Sequence, residues 1–133
     1  MKELTLEAKT DNLTRVLDFV NDLLEKKNCP MHTVLELDIA VEELFVNIAH
    51  YAYTPKQGEA TIQVSFGNKE VVITFIDSGI PYNPWVKEDP DITLSLEERE
   101  IGGLGIYMVK NSMDKVGYEY KDGKNVVTIK KFL

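Results

Sequence analysis

Residues 38–53 read Asp38-Ile39-Ala40-Val41-Glu42-Glu43-Leu44-Phe45-Val46-Asn47-Ile48-Ala49-His50-Tyr51-Ala52-Tyr53. Neither proline nor glycine interrupts the run. Leu37, Val41, Leu44, Phe45, Ile48 and Ala52 recur at helical spacing, which predicts an amphipathic helix with one stripe facing a core. Glu43 and Asn47 stand beside that stripe, four residues and therefore one turn apart on one face. At the rim of a core such a pair can meet a ligand. A carboxamide oxygen can coordinate magnesium without neutralising it, and a carboxylate can take a proton from an attacking hydroxyl or water. The same pair is also what an ordinary exposed helical face carries.

Working outward, Lys2–Ala8 alternates Leu4 and Leu6 with polar residues and predicts a short strand. Thr10 or Asp11 is placed to cap a helix carrying Leu13, Val16, Leu17, Val20, Leu23 and Leu24, which ends near Lys26-Lys27-Asn28. Cys29-Pro30 separates it from the second helix, expected over about residues 32–53. After a turn at 54–58, Ala60–Phe66 and Val71–Ile76 read as a hairpin about Gly67-Asn68. Residues 82–100 are polar with little periodicity and carry one expected short helix at 94–98. Between Lys87 and Glu100 lie six carboxylates. Long loops of this kind are functional or mobile. Gly102-Gly103-Leu104-Gly105 opens a further helix, and Val116–Tyr120 with Val126–Phe132 forms a last hairpin about Asp122-Gly123. This order predicts an α+β domain spanning 1–133: a two-layer sandwich whose mixed, largely antiparallel sheet is covered on one face by helices.

The totals narrow the function. A net charge of −7 lacks the basic face that nucleic acid demands, although backbone amides and a metal can still receive a nucleotide's phosphates. Cys29 is the single cysteine, so no internal disulfide is expected and a reducing cytoplasm fits. No apolar run reaches a membrane span, and the first residues lack a signal-peptide core. There is no phosphate loop of the Gly-x-x-x-x-Gly-Lys kind, no dinucleotide-binding glycine motif in a βαβ unit, no zinc-ligand spacing and no nucleophile elbow.

Two further elements remain. Asp77-Ser78-Gly79-Ile80-Pro81 ends an apolar strand, where the Asp can accept from an exocyclic amino group and Gly79 lets a flat ring approach; an ordinary Asx turn is the other reading. Gly103-Leu104-Gly105 at a helix start offers side-chain-free amides to a polyphosphate, or merely launches the helix.

The order of the three elements resembles the GHKL (HATPase) superfamily, and within it the small stand-alone anti-sigma-factor serine/threonine kinases of the RsbW and SpoIIAB kind. Glu42-Glu43-Leu44-Phe45-Val46-Asn47 is similar to the N box, Asp77–Pro84 to the G1 box, and Gly102–Lys110 to the G2 box. The resemblance implies the Bergerat fold, ATP and Mg2+ as cofactors, Glu43 as general base, and Asn47 as the magnesium residue. It also implies Asp77 on the adenine amino group with Gly79 beside the ring, and Gly103, Leu104 and Gly105 along the triphosphate at the hinge of an ATP lid at 82–101. The implied function is transfer of the ATP γ-phosphate to a Ser/Thr of a STAS-type anti-sigma antagonist, together with sequestration of a sigma factor, in the cytoplasm and with a homodimer as the assembly. Neither nucleic acid nor membrane is an implied partner. The alternatives are a non-catalytic ATP-dependent interaction module and a detached histidine-kinase-type ATPase domain.

The chain departs from that pattern in places. His50 stands one place earlier than the family's histidine and receives no site. The Gly-Thr pair of the last hairpin is replaced by Lys124-Asn125-Val126, with Thr128 further along and given no site. Arg99 lies two places before the expected lid arginine. Tyr51, Tyr53, Trp85 and Tyr107 are expected to pack rather than stack on a base.

Overall fold

The computed structural model describes residues 1–53, 56–86 and 103–133, without the side chains of 103 and 104. The expected short helix at 94–98, Arg99 and all but the start of the 82–101 stretch lie outside them. Among the described residues the chain runs β1 (Lys2–Glu7), α1 (Leu13–Lys26), α2 (Met31–Tyr51), β2 (Glu59–Gly67), β3 (Glu70–Asp77), α3 (Gly103–Ser112), β4 (Lys115–Lys121) and β5 (Lys124–Phe132). The strands form one sheet in the order β1-β2-β3-β5-β4. All four pairings are antiparallel, so the expected α+β sandwich has no parallel pair in its sheet.

Alternation along the strands sorts the two faces. Ile62, Val64, Ile73, Phe75, Val127 and Ile129 are buried beneath the helices with Val16, Val20, Leu24, Leu37, Val41, Leu44, Phe45, Ile48, Ile106 and Val109. The residues between them, such as Gln63, Thr74 and Thr128, form the other face. Helix α2 lies between α1 and α3, so its two flanks and inner stripe are all engaged.

Local chemistry ends each element. Neither Thr10 nor Asp11 caps α1 as expected. Both lie in a 3-10 turn, Thr10–Asn12, and no side-chain cap bond forms. Asn12 is buried instead and donates to the Glu7 carbonyl at 2.8 Å. Helix α1 stops where Asn28 takes a left-handed conformation, φ 54. Cys29 N–H then bonds to Leu24 O at 3.2 Å and Asn28 N–H to Glu25 O at 2.9 Å, the paired closing bonds of a Schellman end. Asp122 and Gly123, both at positive φ, make the two-residue turn that right-handed strand twist favours. The β2–β3 turn is Asn68-Lys69, one residue later than expected, because Gly67 still pairs with Glu70.

The last turn of α3 is tied back by Lys131, whose Nζ donates to Ser112 O at 2.6 Å and pairs with Glu36 of α2 at 3.3 Å. A cation at a helix C-terminus also meets the negative end of its dipole. No helix of the described residues is long and apolar enough to cross a membrane.

Phe45 is fully buried at the centre of α2. Phe45→Ala is expected to cost about 3–5 kcal/mol through lost transfer energy and a residual cavity, read as a lower denaturation midpoint in urea at an unchanged slope.

Candidate functional site

At the C-terminal half of α2 the core opens into a cavity of about 370 Å³, within the range of small-molecule sites. Leu44, Ile48, Phe75, Ile106 and Val127 give it apolar walls, while Asn47, Asp77 and Asn125 contribute polar groups. Ile80, Pro81 and Tyr82 close one side.

The turn after β3 fixes the polar end. Asp77 is 5% exposed, and its Oδ1 accepts from Gly79 N–H at 2.9 Å and from Asn125 Nδ2 at 2.9 Å. Oδ1 thus makes the Asx turn expected from the sequence, and among the described residues no donor reaches Oδ2. Ile80 N–H donates to Ala52 O at 3.0 Å, satisfying a carbonyl that the end of α2 leaves open. A Cβ built on Gly79 would overlap the Ala52 carbonyl, so the glycine permits the turn to close on the helix. Tyr53 braces the same corner: its hydroxyl donates to Glu59 O at 2.6 Å and accepts from Ser78 N–H at 2.7 Å.

Glu43 lies one turn before Asn47 and does not line the cavity. Its carboxyl group lies against Gly105, the third residue of α3, so closely that a Cβ there would overlap it. That arrangement brings Glu43 to the first turn of α3, where backbone amides lack helical partners. Burial, and secondarily the neighbouring Glu42, push the Glu43 carboxyl above its ordinary value. Gly103 is the first residue of α3 and Leu104 the second.

The structure thus gathers Asn47 and Asp77 around one cavity and sets Glu43, Gly103, Leu104 and Gly105 beside its α2–α3 rim. Gly79 sits under the turn rather than on the wall. Thr128 projects from the face of β5 opposite Val127 and Ile129, pairs across to Thr74 and Gly117, and is not part of the cavity. His50 is exposed, with its ring edge-on to Tyr51 at 6.0 Å. Tyr51, expected to pack rather than to stack on a base, lines the cavity at 55% exposure. Trp85 is anchored by Nε1 donating to Gly117 O at 2.8 Å.

Sequence reasoning missed Asn125. Placing the start of the last strand at Val126 left Asn125 in the turn, whereas it pairs directly with Asp77 across β3 and β5. The signal was present in the alternation Asn125-Val127-Ile129, which puts a polar residue on the inward face.

Gly79→Ala is expected to destabilise the fold by about 1–3 kcal/mol, as overpacking does, because the new methyl meets backbone that cannot rotate away. A variant as stable as wild type in urea would contradict this packing account.

The family resemblance implies magnesium and a nucleotide, and this donor set bears on both. Among the described residues no group of three or more His, Cys, Asp or Glu side chains could hold a metal alone. Magnesium takes one or two protein oxygens and completes its shell with phosphates and water, so Asn47 fits a metal carried by a nucleotide. An apolar slot ending in a carboxylate oxygen that has no donor among the described residues fits a flat base bearing an amino group.

The serine/threonine-protein kinase BtrW of Bordetella bronchiseptica is 28% identical over 94 residues, covering 70% of this chain and 66%, just under two thirds, of that protein. The serine-protein kinases RsbW of Listeria monocytogenes and Bacillus anthracis are each 24% identical over 132 residues, or 96% of this chain, and 84% and 82% of their own lengths. Residues 6–131 match the histidine kinase-like ATPase domain, and the chain belongs to that family.

Proposed function

We propose that this protein is an ATP-dependent serine/threonine kinase, acting as one domain in the cytoplasm. Its substrate is a STAS-type antagonist and its second partner a sigma factor. The observation that carries the reading is the cavity that joins Asp77 to Asn47, with Glu43 one helical turn beyond. A carboxylate for the base, a carboxamide for the metal and a buried-edge general base stand in the order in which a bound nucleotide would meet them. The serine kinase names of BtrW and RsbW support the same chemistry.

In this reading the apolar walls exclude water from the adenine, and Asp77 Oδ2 accepts its amino proton. Asn47 would hold Mg2+, which would supply charge neutralisation for phosphoryl transfer. The start of α3 at Gly103, Leu104 and Gly105 presents amides toward the phosphate end. Glu43 takes the hydroxyl proton of the acceptor serine as its oxygen bonds to the γ-phosphorus. The bond from that phosphorus to the β-phosphate oxygen breaks, leaving phosphoserine and ADP. The raised proton affinity of Glu43 moves it toward the range where a general base is most effective. Residues 82–101 are assigned the lid role, and a homodimer the assembly, on the family likeness alone.

Glu43→Ala and Asp77→Asn separate the two ends of the site. The first is expected to lose phosphoryl transfer by about 100-fold or more while retaining ATP affinity. The second is expected to lose ATP affinity about tenfold or more. Calorimetry with Mg-ATP, paired with a phosphotransfer assay on the captured antagonist, reads both. Transfer that survives Glu43→Ala removes the base assignment. Wild-type protein that binds ATP but phosphorylates no antagonist leaves a nucleotide-gated interaction module.

Glu43 must be ionised to accept the proton, so activity is expected to rise with pH through its titration. Its raised proton affinity puts that acid limb above the ordinary value of 4.5. Glu42→Gln removes one of the two causes, and the limb of the pH–rate profile is expected to move to lower pH.

A further inference from the structure

Asn125 sits at the inner start of β5, 3% exposed, and all of its hydrogen-bonding capacity is engaged. Its Nδ2 donates to Asp77 Oδ1 at 2.9 Å and to Ile80 O at 2.8 Å. Its Oδ1 accepts from Tyr82 N–H at 3.0 Å and from the Tyr118 hydroxyl at 2.5 Å. The orientation of the amide follows from these partners. Tyr82 N–H can only donate and Ile80 O can only accept, so oxygen faces the first and nitrogen the second. A carboxamide has two donor hydrogens and two acceptor lone pairs, and none is left over for a ligand. Asn125 therefore influences a bound molecule through the groups it holds.

Those groups form one end of the cavity. Asn125 and Gly79 N–H together occupy Asp77 Oδ1 with donors, which holds the carboxylate in place and leaves Oδ2 as an acceptor with no protein partner among the described residues. The bonds to Ile80 O and Tyr82 N–H hold the strap of Ile80, Pro81 and Tyr82 against the sheet, and all three line the same cavity.

We infer that Asn125 is the positioning residue for base selection: by clamping Asp77 Oδ1 and the Ile80–Tyr82 strap, it makes the cavity end an acceptor-only edge that selects a 6-aminopurine over a 6-oxopurine. This rests on the nucleotide reading given above. A 6-amino group donates to Oδ2, whereas a 6-oxo group sets two acceptors against each other, one of them charged. Selectivity of this kind is strongest where the mismatched polar groups are buried. A carboxylate free to rotate would lose that rejection. The clamp is thus the source of specificity, and Asp77 the group that touches the base.

The test is a titration of the full chain with ATP and with ITP, which replaces the 6-amino group by oxygen, each with magnesium. Wild type is expected to prefer ATP. Asn125→Ala is expected to reduce the ATP-to-ITP preference by about tenfold, the scale of one buried hydrogen-bond partner removed. N125D keeps the shape and puts a second carboxyl beside Asp77. Two such groups share a proton, which raises the proton affinity of one of them. With the proton present the introduced group donates to Oδ1 as the amide did; as pH rises and the proton leaves, the two carboxylates repel. The preference of N125D for ATP is therefore expected near wild type at about pH 6 and diminished at about pH 8. The nucleotide's own titration is common to both proteins and cancels in the comparison.

Equal weakening of ATP and ITP in Asn125→Ala, or a preference in N125D that does not change with pH, overturns the inference and leaves the nucleotide site standing. Wild type that binds neither nucleotide removes the reading on which it rests. Should Asn125→Ala fold poorly by circular dichroism, the pH comparison of N125D decides alone.

Discussion

The antiparallel pairing of β3 with β5 puts Asp77 directly opposite Asn125, and the cavity end depends on that register. A one-residue slip of β5 would turn Asn125 to the other face of the sheet, away from Asp77. The burial of Phe75 with Val127, and of Ile73 with Ile129, holds the register in place. Core packing and recognition chemistry are therefore one constraint in these strands. The hydrophobic residues set the alignment, and the last inward position of each strand is given to a polar group.

Helix α2 carries the same logic in a second direction. Its inner stripe packs on the sheet, while its flank presents Glu43 and Asn47 toward the α3 side. The open carbonyl at its end is closed by the turn that follows Asp77. From Glu43 to Ala52 the helix runs about 14 Å at its normal rise, the scale of an extended nucleoside triphosphate. The proposed general base and metal residue, Glu43 and Asn47, thus lie on one rigid element. Fixing two sites on a helix is more precise than fixing them on separate loops, and phosphoryl transfer depends mainly on positioning.

Glycines give the site its close approaches. Gly79 lets the β3 turn meet the end of α2, and Gly105 lets the Glu43 carboxyl meet the start of α3. In both places the neighbour would fill the volume of a methyl group. The absence of a side chain brings functional groups of different elements to contact distance. The desolvation that results is the leading cause of the raised proton affinity of Glu43.

Local patterning was enough to read the helices, the strands and three of the polar positions. The 3.6-residue stripe of α2 marked Glu43 and Asn47, and the abrupt end of an apolar strand marked Asp77. Such features are carried by neighbours in the chain, whose periodicity is visible without knowing the fold. The caps were less legible: Thr10 and Asp11 have capping chemistry, yet Asn12 went to the Glu7 carbonyl because the β1–α1 corner buried it. Thr128, given no site from the sequence, lies on the far face, since a single residue of strand phase decides which side it takes. Asn125 is 48 residues from Asp77, and no local pattern links them. By itself the sequence determined which residues could do chemistry and on which elements they lie. Only the tertiary structure decided which of them meet, because strand register and helix packing are set by the burial of a core shared across the whole chain.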